Sequence, residues 1–144
     1  MRELLFRAQT RKKGDKVWMN GNPVDGNWVF GGIFKGEGCY SVLYTYEPLE
    51  KRVVYTDTIG QYTGMTDKNG VKIFEGDILK LKRHIYDVEW KDGCLYAVQK
   101  NFLKTGNTVY YKLINLLVED GAEVIGNIYD TPELLENIDY RSKA

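Results

Sequence analysis

The chain has 144 residues, enough for one ordinary domain or two small subdomains, and 43% of them are apolar, enough to build a core. Its 20 Lys and Arg balance 20 Asp and Glu, and charged residues make up 28%. That composition excludes a disordered chain and gives no overall positive field of the kind that draws nucleic acid.

No apolar run approaches the ~18 residues of a membrane-spanning helix. Met1 to Phe6 carries Arg2 and Glu3 in place of the apolar stretch of a secretory signal. Cys39 and Cys94 lie far apart with no C-x-x-C pair, and read as two free thiols in a reducing compartment. The expected location is therefore the cytoplasm, with no membrane partner.

Eleven Tyr and fifteen Gly, with abundant Val, Ile and Thr, favour short strands joined by turns. In chain order, Leu4 to Ala8 reads as a strand. Lys16 to Met19 is a second, followed by an Asn20-Gly21-Asn22-Pro23 turn. Asn27 to Phe34 is a third, softened by Gly31 and Gly32. Cys39 to Tyr46 alternates, with Tyr40, Val42, Tyr44 and Tyr46 on one face and Ser41, Leu43 and Thr45 on the other. Arg52 to Thr56 returns beside it.

In the second half, Asn69-Gly70 is a strong hairpin signal, expected to place both turn residues at positive φ and to pair Gln61–Met65 with Val71–Phe74. Asp92-Gly93 is another, pairing Trp90 with Leu95 and Val88 with Ala97. A tight turn at Arg83-His84 would set Leu81 against Tyr86 and Leu79 against Val88. Leu79, Leu81, Tyr86, Val88, Trp90, Leu95 and Ala97 then share one buried side, while Lys80 stands opposite Asp87 on the other. Val109 to Val118 fits strand and helix equally. Glu123 to Ile128 reads as a strand, and Asp130-Thr131-Pro132-Glu133 opens a short helix capped by Asp130 or Thr131.

The fold expected is mainly β, of the α+β kind. It comprises small β-barrel or sheet subdomains over 1–60 and 61–144, with one short C-terminal helix. The first sixteen residues are basic (Arg2, Arg7, Arg11, Lys12, Lys13, Lys16), and the chain from Glu119 onward is acidic. The two ends would attract each other within one subunit or head-to-tail between subunits.

The segment from Gln61 through Met65, Asn69-Gly70 and Phe74-Glu75-Gly76-Asp77 to Ile78 resembles the hallmark of the YopX family of phage and prophage proteins. Met1 to Ala8, Trp28-Val29-Phe30-Gly31, Val88-Glu89-Trp90, Ile125-Gly126-Asn127-Ile128-Tyr129 and Pro132-Glu133-Leu134-Leu135 match the family in order. Gln9 departs from it, standing where the family often has Trp. The resemblance implies a small protein carried by phages and acting in the host cytoplasm. It implies no activity and no catalytic or ligand residues.

The residues themselves favour no reaction. Placed as a calcium loop, Asp67-Lys68-Asn69-Gly70 puts Met65 and Gly76 where ligands belong. His84 is the only histidine, so no zinc set exists, and the glycine clusters lack a P-loop's spacing. Cys94 and His84 are close enough in sequence to meet on a hairpin as nucleophile and base. Glu75-Gly76-Asp77 reads as a bend introducing a strand rather than as paired carboxylates. The expectation is a non-enzymatic protein without metal or cofactor.

Two binding functions stay open. A Tyr40, Tyr44, Tyr46 stripe suits contact with protein, either a second copy in a homo-oligomer or a host or phage protein. Alternatively, Lys80, Lys82, Arg83, Trp90 and Lys91 could serve a small-barrel nucleic-acid binder in phage DNA metabolism.

Overall fold

The computed structural model describes residues 4–10, 17–19, 22–24, 28–34, 36–46, 48–102, 107–118 and 121–136. The elements run β1 (Phe6–Gln9), β2 (Val17–Met19), β3 (Asn22–Val24), β4 (Trp28–Phe34), β5 (Tyr40–Thr45) and β6 (Lys51–Tyr55). A 3-10 turn (Thr56–Thr58) leads to β7 (Gly60–Thr66), β8 (Lys72–Phe74), β9 (Asp77–Leu81), β10 (His84–Lys91), β11 (Cys94–Phe102) and β12 (Asn107–Lys112). Then follow α1 (Leu113–Val118), β13 (Glu123–Asn127) and α2 (Glu133–Glu136). The protein is mainly β, its sheets antiparallel, and it divides into two compact units, Met1–Tyr62 and Thr63–Ala144. The basic stretch Arg11, Lys12, Lys13 and Lys16, and Glu119 and Asp120 of the acidic end, lie outside the described residues.

In the first unit the strand order is β6-β5-β4-β1, with the start of β7 beside β1 (Arg7↔Gly60, Phe6↔Gln61). The period-2 alternation of β5 sorts its side chains as a pleated strand must. Ser41 and Leu43 are buried, and Tyr40 and Tyr44 are exposed. Ala8, Val29, Leu43 and Val54 make the core, with Ile33 and Ile59 packed against it. The Thr58 hydroxyl ties the 3-10 turn to β1: it accepts from the Gln9 N–H at 2.9 Å and donates to the Tyr55 carbonyl at 2.8 Å. β2 and β3 form a hairpin of their own, with Asn22 and Pro23 inside β3 rather than in the turn, and residues 20–21 outside the described set.

In the second unit the order is β12-β11-β10-β9-β13. β12 and β13 do not pair with each other among the described residues, so this sheet is open rather than the barrel expected. Ile73, Leu79, Leu81, Tyr86, Val88 and Ala97 form the core together with Leu113, Leu116 and Ala122. The ambiguous 109–118 segment divides: β12 ends at Lys112, and α1 buries Leu113 and Leu116, three apart on one helical face. A second short helix is therefore present. α2 lies against β10, and the Thr131 hydroxyl turns back to Asn127 rather than capping it forward.

The three turns differ in chemistry. Asp92 (φ 52) and Gly93 (φ 80) form the two-residue turn expected, with Val88↔Ala97 and Trp90↔Leu95 in register. At Asn69-Gly70 only Gly70 has positive φ (80). The Asp67 N–H donates to the Val71 carbonyl and the Gly70 N–H to the Asp67 carbonyl, which makes a three-residue loop with a glycine bulge.

The β9–β10 turn falls on Lys82-Arg83, with Lys82 at φ 57, not on Arg83-His84. Tyr86 accordingly faces Leu79, and Lys80 faces Ile85 instead of Asp87. This slip of two preserves side-chain parity, so Leu79, Leu81, Tyr86 and Val88 still share one face. Trp90 does not join them. Beside the hairpin tip it runs past the core and is 40% exposed.

Candidate functional site

The first unit carries an uncovered aromatic face. Phe30, Gly32 and Phe34 of β4 alternate with the inward Val29, Gly31 and Ile33, and cross-strand pairing aligns them with β5 and β6. Phe34 stands opposite Val42, Gly32 opposite Tyr44, Val42 opposite Val53, and Tyr40 opposite Tyr55. Phe34 (72%), Tyr40 (57%), Val53 (56%), Tyr46 (53%), Phe30 (45%) and Tyr44 (43%) are exposed along this face. The Tyr40 and Tyr55 rings lie 5.2 Å apart, and Tyr46 crosses Gly32 to donate its hydroxyl proton to the Leu4 carbonyl at 3.0 Å. At the β1 border, the guanidinium of buried Arg7 sits 4.5 Å above the Trp28 ring. The tyrosines singled out from sequence, Tyr40, Tyr44 and Tyr46, are thus surface residues. Phe30, Phe34 and Val53 extend their patch, and the alternation of 28–34 could have disclosed the two phenylalanines.

The cationic candidates of the second unit do not converge. Lys80 is exposed, between Ile85 on β10 and Glu123 on β13. Lys82 and Arg83 are exposed in the turn at one end of β10, whereas Trp90 and Lys91 are at its other end. A strand of this length separates the two groups by roughly 20 Å at ~3.3 Å per residue. Near Lys91 a different cluster forms. The Lys91 ammonium lies 4.4 Å above the Tyr110 ring, Tyr110 meets Tyr96 edge-on at 5.7 Å, and Lys112 stands opposite Tyr96. Tyr96, Tyr110 and Lys112 come together only once 107–112 is read as a strand, which the mixed periodicity of 109–118 concealed.

Candidate reactive groups are likewise placed. His84 and Cys94 occupy opposite ends of the β10 ladder, His84 across from Leu81 and Cys94 across from Lys91, so they do not meet. His84 Nδ1 is 3.0 Å from the Gln99 side-chain amide. Cys39 and Cys94 are both free thiols.

The carboxylates of the central motif bind backbone. Asp67 Oδ1 accepts from the Asn69 and Val71 N–H groups at 2.8 and 2.9 Å, and Oδ2 from Val124 at 2.9 Å. Burial alone would raise its pKa. The bonds from Val124, Val71 and Asn69, with the Lys68 charge, outweigh that and hold it below the ordinary 3.8. Asp77, nearly fully buried, accepts from the Phe74 N–H at 2.7 Å and fixes the Glu75-Gly76-Asp77 bend. Among the described residues no group of three or more His, Cys, Asp or Glu is arranged to hold a metal, and no helix is long and apolar enough to cross a membrane.

No curated protein matches the sequence. Among solved structures, the crystal structure of protein EF1440 from Enterococcus faecalis is similar. It is 29% identical, covers 67% of this chain and 74% of its own, and has a TM-score of 0.36. The family model described as YopX protein matches residues 14–136, and the chain belongs to the YopX family.

Proposed function

We propose that this is a non-enzymatic accessory protein of a phage or prophage, acting in the host cytoplasm through protein–protein contact and associating with itself. The aromatic face on β4, β5 and β6 carries this reading. With ~200 Å² to an aromatic side chain, its exposed side chains present on the order of 600 Å² of apolar surface. That is at the upper end of what a soluble monomer leaves uncovered, and near the share one partner contributes to a stable interface. The carboxylates of the family motif support the non-enzymatic part, because their oxygens serve backbone amides.

Sedimentation velocity of the full chain tests the reading. Association that weakens on Tyr40→Ser with Tyr44→Ser supports it. A protein that stays monomeric at every concentration removes the self-association part.

A nucleic-acid-binding role on the open sheet of the second unit is the second reading, favoured by one observation: Lys91 over Tyr110, with Tyr96 and Lys112 beside it, pairs lysine charge with aromatic faces. Fluorescence anisotropy with labelled single-stranded DNA, duplex DNA and RNA tests it. Binding that falls steeply with salt and is lost in Lys91→Ala with Tyr110→Ala supports it. No binding at low salt ends it.

A further inference from the structure

Among the described residues β6 is the terminal strand of its sheet, and its geometry specifies how it can pair. The Thr45 N–H donates to the Glu50 carbonyl at 2.9 Å and the Thr56 N–H to the Cys39 carbonyl at 2.8 Å. In an antiparallel ladder the hydrogen-bonded pairs alternate, so Arg52 and Val54 turn their backbone groups toward β5. Val53, opposite Val42 in a non-bonded pair, points its N–H and C=O away from β5, toward the open edge. Neither a proline nor a bulge guards the strand between Lys51 and Val54, the Val53 side chain is 56% exposed, and the open stretch stops at Tyr55, whose carbonyl accepts from the Thr58 hydroxyl.

We infer that β6 is a dimerisation strand, pairing antiparallel with β6 of a second copy of this chain about a two-fold axis at Val53. This rests on the self-association proposed above and gives it a register. The two Val53 residues face each other and exchange both N–H···O bonds. Lys51 then stands opposite the second copy's Tyr55, on the same face, where an ammonium can lie on an aromatic ring. Arg52 stands opposite the second copy's Val54. No like charges are directly opposed. A centre moved one residue to Arg52 would set guanidinium against guanidinium, which disfavours the neighbouring register. The pairing also brings the two aromatic faces edge to edge as one continuous surface.

The test uses the full chain. Val53→Pro removes the edge-facing N–H and leaves the β5 ladder whole, because that N–H takes no part in it. The expected result is a folded protein, by circular dichroism, whose dimer dissociation constant rises at least about tenfold. In a Cys39→Ser, Cys94→Ser background, Val53→Cys is expected to form an intermolecular disulfide under mild oxidation, since facing residues of a bonded pair lie at ~5.5 Å, within disulfide reach. It answers the question even if the proline variant fails to fold. Self-association that persists without this cross-link overturns edge pairing while leaving association through the aromatic face. A wild-type chain that is monomeric throughout overturns both.

Discussion

Both units are built on antiparallel sheets, yet they treat the two faces of those sheets differently. In the second unit, residues are buried on both sides of β9–β11: Leu79, Leu81, Tyr86, Val88 and Ala97 on one, Ile78, Asp87 and Val98 on the other. In the first unit, β4–β6 bury Val29, Leu43 and Val54 on one face and leave phenylalanines and tyrosines bare on the other. A strand with one polar face needs no partner there. A strand whose outer face is aromatic has the composition of a half-finished interface. The difference separates side chains that hold the fold from side chains available for binding, and it can be broken by substitution.

The largest effect is expected where burial is complete. Leu79→Ala, at the centre of the second unit's core, should cost about 2–5 kcal/mol, the transfer term plus a cavity the surrounding sheet cannot close. Chemical denaturation would measure it. A loss below ~1 kcal/mol would mean that the second unit is held less by this cluster than its burial implies.

Next comes a backbone approach in the first unit. A Cβ on Gly31 would drive into the Tyr44 carbonyl oxygen of the neighbouring strand. Gly31→Ala should therefore cost roughly 3 kcal/mol, the upper range for overpacking, because a paired backbone rather than a flexible side chain must move. It should lower the thermal midpoint and separate β4 from β5, disordering the aromatic face with them. An unchanged midpoint would show that this face tolerates a spread ladder.

A smaller, pH-dependent effect is expected at Asp67. Its folded-state pKa is depressed, so ionisation favours the fold. That contribution is fully present above the unfolded value near 4 and is lost as pH falls through the lower folded value. Asp67→Asn should reduce stability by about 2 kcal/mol at neutral pH, replacing a carboxylate that serves three amides. It should also flatten the acid limb of the stability curve. Equal pH dependence in variant and wild type would assign that limb to other carboxylates.

Much of this arrangement was legible in the sequence where local chemistry decides. The β5 alternation and the Asp92-Gly93 turn were readable because period-2 patterning and positive-φ residues are local properties. The three-residue loop at Asp67 was not, because the Asp67 carboxylate draws in the Asn69 and Val71 amides and overrides the two-residue turn that Asn69-Gly70 advertises. The turn at Lys82-Arg83 was missed for a related reason: Lys82 adopts a left-handed conformation that no side chain there advertises. Whether the tyrosine stripe faced in or out was undecidable from periodicity, which sorts faces without saying which is buried. The Lys91–Tyr110 cluster needed the register of β11 with β12, a non-local quantity.

The smallest effect on stability is expected on the bare face, and there its smallness is the informative part. Phe34 is 72% exposed at the end of β4, opposite Val42, so Phe34→Ser should change unfolding free energy by no more than about 0.5 kcal/mol. A phenylalanine kept only for the fold could not be lost so cheaply, whereas one that belongs to an interface costs nothing until a partner arrives. The same substitution should therefore raise the dissociation constant of the self-associated form while leaving the monomer's melting unchanged. If Phe34→Ser instead destabilised the isolated unit as strongly as Leu79→Ala, the outer face of β4 would be structural, and the contrast between the two sheets would be one of degree alone.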